Sequence, residues 1–312
     1  MRPPARRATR LDQRLRADSP SLSWAKARQA IERGQVTVDG AVERDPGALV
    51  RAGAAVVVDV NRPAVRPARS RFTRLYEDEH VLVLDKPAGV LTIPAGADAE
   101  DEDTVLARVR EYMDRRRGPG GYVGTLHRLD RDTSGALAVA LTREAHERGR
   151  DMFGRHGFTR RYVALVAGVP VPAEGVVDAP IADAWTGGRR RLAQRGEPSK
   201  PAVTRYVVRH PYGTAAALVE LTLETGRQHQ IRLHLAHLGH PVLGDRVYGT
   251  PESAAAAPRQ MLHARTLAFA HPLTGAPIAV EAPLPDDFAR MRAGLRATKA
   301  LPPPPGRRAA TR

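Results

Sequence analysis

Apolar residues recur along this chain in two rhythms. Near the start they fall at helical intervals: Leu11, Leu15, Leu22, Trp24 and Ile31 supply apolar faces for two short helices. Ser19-Pro20 separates them, because a proline restricts the residue before it. Gly34 suits the end of the second helix. The rhythm then shortens to two. Gln35-Val36-Thr37-Val38 alternates like a strand, Asp39-Gly40 marks a tight hairpin turn, and 56–60 reads as a further strand. Beyond residue 72, short alternating strands dominate, at 81–85, 136–141, 162–166, 204–208 and 217–223. Helical stretches lie between them at 104–114, 144–154 and 229–238. Strand hairpins mixed with helices predict an α+β architecture rather than a doubly wound parallel sheet. No internal repeat is visible. The predicted organisation is a basic disordered start at 1–9, a small α/β module at 10–60, a linker at 61–71 rich in Pro and Arg, a larger domain at 72–294, and a basic disordered tail at 295–312.

Composition narrows the chemistry. The formal net charge is +15 and the sequence pI is about 11.0, which suits a polyanionic partner, nucleic acid first. Solvated surface arginines give the same number, so charge alone leaves both readings open. There is no cysteine, which excludes disulfides, thiolate catalysis and cysteine-ligated zinc. No apolar run approaches the roughly 20 residues of a membrane span. The basic N-terminus has no apolar signal core behind it, so the expected location is the cytoplasm.

The most telling stretch is His127-Arg128-Leu129-Asp130-Arg131-Asp132-Thr133-Ser134-Gly135. It sets a carboxylate between two arginines, just ahead of an apolar strand. A loop aspartate making a local hydrogen bond would look the same in isolation. The segment resembles the signature of the RluA-type pseudouridine synthases, which isomerise uridine within RNA. Arg160-Arg161-Tyr162 resembles that family's basic-x-Tyr strand. Glu224-Thr225-Gly226-Arg227-Gln228-His229-Gln230-Ile231-Arg232-Leu233-His234 resembles its TGR-x-HQIR-x-H segment, continued by Gly239 to Asp245 and Tyr248-Gly249. Lys86-Pro87-Ala88-Gly89 resembles the first family motif, although Ile93-Pro94 stands where the family often has a histidine. By itself that segment reads as an ordinary turn. The front module resembles the S4-like RNA-binding domain that precedes many of these synthases.

The resemblance implies a pseudouridine-synthase domain with a mixed, mainly antiparallel sheet, and roles for particular residues. Asp130 would be the nucleophile, Arg232 its partner, and Tyr162 a stacking residue against the flipped base that could also take a ribose proton. Arg128 would fill the stack vacated by the uridine; the alternative is a salt bridge to Asp130 or Asp132. Ile231, Arg227 and His229 would line the substrate site. Lys26, Arg28 and Arg33, expected near one helical surface, and the cluster Arg189, Arg190 and Arg191 are candidate phosphate contacts, with solvated charge as the alternative. The isomerisation is redox-neutral and implies no cofactor. His229, His234, His237 and His240 invite a metal reading, but no HExxH pattern occurs, and hydrogen-bonded or RNA-facing histidines fit better. The expected partner is RNA, ribosomal before transfer RNA, and the expected state a monomer. Two rivals remain. One is a catalytically idle RNA-binding ribosome-assembly factor. The other is a carbohydrate hydrolase using Asp130 and Asp132, which the presence of only two tryptophans disfavours.

Overall fold

A computed structural model describes residues 9–59, 72–94, 103–154, 157–186 and 189–297. The expected linker at 61–71 lies outside these residues, as do 1–8 and 298–312 of the expected tails. The described chain forms two compact units, one within 9–59 and one within 72–93 and 103–297.

In the first unit, helices Leu11–Asp18 and Trp24–Glu32 pack on a three-stranded antiparallel sheet. Leu11, Leu15, Ala27, Ile31 and Val36 form its core. Ser23 caps the second helix by accepting from the Lys26 amide, and Gly34 leaves it at a φ of +70°. Asp39 and Gly40 both take positive φ, the geometry a two-residue hairpin requires, and join Val36–Val38 to Ala41–Val42. Thr9 already pairs with Val50, so ordered structure starts before residue 10.

The second unit is built on one ten-stranded sheet. Its order is Glu174–Asp178, Val203–Tyr212, Ala216–Leu223, Phe158–Ala167, Leu262–Ala270, Ser134–Ala140, Val81–Lys86, Thr73–Glu77. Pro277–Glu281 and Gly124–Thr125 pair off this path. Among these described strands every pairing is antiparallel except that between Leu262–Ala270 and Ser134–Ala140. The sheet is mixed and mainly antiparallel. Strand Ser134–Ala140 is buried at every position, which explains its unbroken small and apolar sequence. Leu137 and Val139 join one core, with helices Val105–Arg117 and Asp286–Ala297; Ala136, Ala138 and Ala140 join a second on the other face. Gly135, at a φ of +114°, permits the parallel junction: a Cβ there would run into the backbone carbonyl of Ala264.

Several elements depart from expectation. Strand Val203–Tyr212 runs beyond residue 208 through an irregularity between Val208 and His210. The last helix reaches Ala297, and Leu295 is buried in the core, so the domain extends past 294. The central strand Leu262–Ala270 was not anticipated, because His263, Arg265 and Thr266 hide its pattern.

Candidate active site

Asp130 lies in the turn before strand Ser134–Ala140, and distant parts of the chain fix that turn. The Arg131 carbonyl accepts from Lys86 Nζ at 2.8 Å and from the Gly89 amide at 2.9 Å. The Leu129 carbonyl accepts from Thr92 Oγ1, which in turn accepts from the Leu129 amide. Arg259 donates to the Asp132 carbonyl, and Gln260 Nε2 to Thr133 Oγ1 at 2.7 Å. Ser134 Oγ donates to Nδ1 of buried His263, whose Nε2 donates to the Ala282 carbonyl. The Lys86-Pro87-Ala88-Gly89 turn is therefore a clamp on the aspartate loop. Lys86 is fully buried, and burial pushes its ammonium down to about 7 against the attraction of Asp132 and Asp130.

Arg232 comes from helix Gln230–His237 and meets Asp130 at NH1···Oδ2 2.9 Å. The rest of its fork is turned to Asp245: Nε···Oδ2 is 2.7 Å and NH2···Oδ1 2.8 Å. Asp245 is buried and also accepts from the amides of Val247 and Tyr248. Burial would raise the Asp245 carboxyl, yet the hydrogen bonds and charge of Arg232 hold it below its ordinary value. The two carboxylates raise the Arg232 guanidinium against the opposing effect of burial. One arginine thus bridges two aspartates, and this second carboxylate was not assigned a role from sequence.

A cleft of about 250 Å³ opens at Asp130. Its apolar wall includes Leu126, Tyr162, Leu223, Ile231 and Leu262. Arg160 and Tyr162 alternate onto it from strand Phe158–Ala167, and both are buried. Burial raises the Tyr162 phenol to about 12, with Asp130 adding and Arg160 opposing. Arg160, unassigned from sequence, has its guanidinium pressed against Gly226, where a Cβ would collide with it. Burial lowers the Arg160 guanidinium from its ordinary value. Arg227 lines the cleft while donating from Nε to the Pro201 carbonyl.

Arg128 lines the cleft as an exposed side chain, and among the described ion pairs the one at Asp130 belongs to Arg232. His229 was expected inside the helix; it is instead the N-cap residue, at a φ of +60°. Its Nδ1 meets the Tyr248 hydroxyl at 2.9 Å and its Nε2 lies 3.9 Å from Asp130 Oδ1. His234 bonds Thr204 and the Ala179 carbonyl, and His240 the Ala167 carbonyl.

The candidate phosphate contacts are more dispersed than the sequence suggested. Arg28 stands two residues from Lys26, about 200° around the helix, and its Nε lies 3.3 Å from buried Asp12. The expected single surface for Lys26, Arg28 and Arg33 is therefore split. Arg191 is paired with Glu197, Arg190 donates to the Ala182 and Asp183 carbonyls, and Arg189 donates to the Val247 carbonyl. The three arginines form no free cluster.

Comparison with known proteins matches this geometry to a family. The family model for RNA pseudouridylate synthase matches residues 80–237, and that for the S4 domain matches residues 9–56. A protein of Xanthomonas campestris named ribosomal large subunit pseudouridine synthase D is 37% identical over 292 residues, covering 89% of this chain and 86% of the relative. The dual-specificity RNA pseudouridine synthase RluA of Escherichia coli is 41% identical over 210 residues, 67% of this chain and 91% of the relative. Among solved structures, human RNA pseudouridylate synthase domain containing 4 superposes with a TM-score of 0.58 at 25% identity, covering 72% of this chain and 93% of that one.

Proposed function

The chain belongs to the RluA-type family of RNA pseudouridine synthases, with an S4 domain at its N-terminus, and from that premise we propose that it isomerises uridine in large-subunit ribosomal RNA with Asp130 as nucleophile. The reaction breaks the N1–C1′ bond, turns the uracil and joins C1′ to C5. The C5 proton is lost and N1 gains one, so nothing is oxidised and no group leaves the RNA. A carboxylate beside C1′ holds or stabilises the electron-poor sugar while the base is free. The observation that carries this role is the Asp130–Arg232–Asp245 bridge: one oxygen of Asp130 is fixed by Arg232 NH1, and Oδ1 is left outside that fork.

Tyr162 and Ile231 sandwich the flipped uracil in this reading, with Arg227 and His229 beside it. Stacking needs only the neutral ring of Tyr162. Taking a ribose proton needs the phenolate, which burial disfavours. Arg128, exposed at the cleft, takes the place vacated in the RNA stack. Exposed Lys26 and Arg189, with Arg33, contribute phosphate contacts; Arg28 and Arg191 contribute less, because each already faces a carboxylate within the chain, and so does Arg190, whose head donates to two carbonyls. The enzyme works as a monomer in the cytoplasm. Among the described residues no helix is long and apolar enough to cross a membrane.

The test is release of tritium from ribosomal RNA labelled at uridine C5. Wild-type protein is expected to release it and leave pseudouridine at mapped sites. RNA binding without release supports an idle assembly factor, and a freed base or sugar fragment supports a hydrolase. Release from transfer RNA alone keeps the chemistry and overturns the substrate.

A further inference from the structure

We propose that Trp185 is a stacking platform for an unpaired nucleobase next to the target uridine, an inference that rests on reading the cleft as an RNA uridine-isomerase site. The chain has only two tryptophans, and this one is 47% exposed. Trp24 is as exposed, but Trp185 stands beside the cleft, against His229, and tryptophan is enriched at surfaces where one edge of the ring packs and the other stays wet.

Its surroundings hold it in one place. Trp185 sits on an arm rooted by the pairing of Ile181–Ala182 with Ser199–Lys200, and Thr186 pairs with Arg189 beside it. The root has its own apolar cluster of Ile181, Ala202 and Leu233, so the arm does not depend on the indole for packing. The Arg190 guanidinium lies 4.7 Å from the indole centroid and donates to the Ala182 and Asp183 carbonyls. That guanidinium is a fixed cation against the ring, which holds the indole and polarises it.

The arm is tied directly to the cleft. The Arg190 amide donates to the Tyr248 hydroxyl, which meets His229 Nδ1 at 2.9 Å. The His229 ring stands edge-on to Trp185, with centroids 5.9 Å apart at 80°. Its Nε2 is 3.9 Å from Asp130 Oδ1. One side chain therefore separates the exposed indole from the carboxylate. A uridine flipped into the cleft brings the next nucleotide along the backbone to this edge. Flipping also strips that neighbour of its stacking partner, and an aromatic face restores the lost contact. Every base has a π-face, so the platform reads the unpaired state of the flanking nucleotide rather than its identity. It selects loops over duplex, and exposed Arg189 lies close by for the adjoining phosphate.

The experiment uses the full chain in a Trp24→Phe background, which leaves Trp185 as the sole tryptophan. The probe is a loop oligonucleotide carrying the uridine mapped with wild-type enzyme, alone and with the flanking nucleotide on either side made abasic. Binding is expected to quench Trp185 emission, and the abasic change at one flank is expected to remove the quenching. Trp185→Ala should raise KM at least about five-fold with kcat unchanged, and Trp185→Phe should restore most of it. Trp185→Ala and the abasic RNA should lose the same binding, so that combining them costs nothing further. A change in kcat rather than KM, or losses that add at both flanks, would make the indole a support for His229 and overturn the platform. So would unchanged quenching with either abasic RNA. If neither ribosomal nor transfer RNA is modified, the isomerase reading fails; the quenching arm is then run with a short oligouridylate, and its absence overturns the platform independently.

Discussion

Arg232 in the cleft and Arg190 on the neighbouring arm are both held by oxygen atoms, but of different kinds. Arg232 is buried, and its partners are carboxylates from two other segments, Asp130 and Asp245. Arg190 is half-exposed, and its partners are carbonyls seven and eight residues away on its own arm. The first arrangement ties together pieces of chain more than a hundred residues apart and spends the cation's charge on geometry. The second holds a short arm in shape and leaves the cation's field open to solvent. A count of positive charge treats the two alike, whereas removing them should have opposite signatures: lost turnover in the cleft, weaker RNA attraction on the arm.

The largest effect expected is at the carboxylate the cleft is built to hold. Asp130→Asn should lower kcat by more than about 1,000-fold, as removal of a covalent nucleophile does, with RNA affinity changed only a few-fold. Single-turnover tritium release and filter binding measure the two. Residual turnover within tenfold of wild type would remove Asp130 from the role.

Next come the two bonds that position it. Arg232→Lys keeps the charge but loses the fork, and activity should fall about 100-fold. Asp245→Asn should also lower activity, by about 10- to 100-fold, and should depress the melting temperature, because a buried guanidinium loses half its compensation. If both variants melt like wild type and turn over normally, the cleft arginine is no different from those of the arm.

A smaller effect concerns what stands behind the loop. Burial holds the His263 imidazole down at about 4, so the folded unit resists its protonation. The unfolded chain takes that proton near pH 6.5, so the stability linked to His263 is complete above 6.5 and lost as pH falls towards 4. At pH 5 the loss is about 2 kcal/mol from this one residue. Urea denaturation at pH 7.5 and pH 5 should show it, and His263→Gln should be less stable at pH 7.5 yet flatter between the two. An unchanged slope would mean that His263 is not buried neutral.

The smallest effect belongs to the arm. Arg189→Gln should weaken RNA binding a few-fold, lower the salt slope by about one, and leave kcat alone. Arg191→Gln should do less, since Glu197 already occupies that guanidinium. A larger effect at Arg191 than at Arg189 would show that the Glu197 pair opens on binding.

The sequence carried this division unevenly. Asp130, Tyr162, Ile231 and Arg232 were legible because they sit in long motifs whose neighbours constrain one another. Asp245 stood in the same motif run without a role, because its burial depends on an arginine thirteen positions earlier. Lys86 read as part of a turn; a lysine with no exposed surface is rare, and nothing local announces it. Asp39-Gly40 was legible because its backbone requirement is local. The central strand Leu262–Ala270 was not, because His263 is an interior residue satisfied by Ser134 and Ala282. The arginines at 28 and 189–191 could be read as charge, but not as paired or unpaired, because their partners are set by the fold.

The parallel junction at Gly135 has a consequence for how the molecule comes into being. Ser134 and Gly135 pair with His263 and Ala264, and the loop just before them is bonded by Gln260 and by Arg259, whose guanidinium also donates to Asp287. Contacts this remote in sequence close late, because a long stretch of chain must be ordered before they form. During synthesis the aspartate leaves the ribosome well before the strand that seats it. The turn that carries Asp130 therefore reaches its final geometry only once residues as far as Asp287 have emerged and docked.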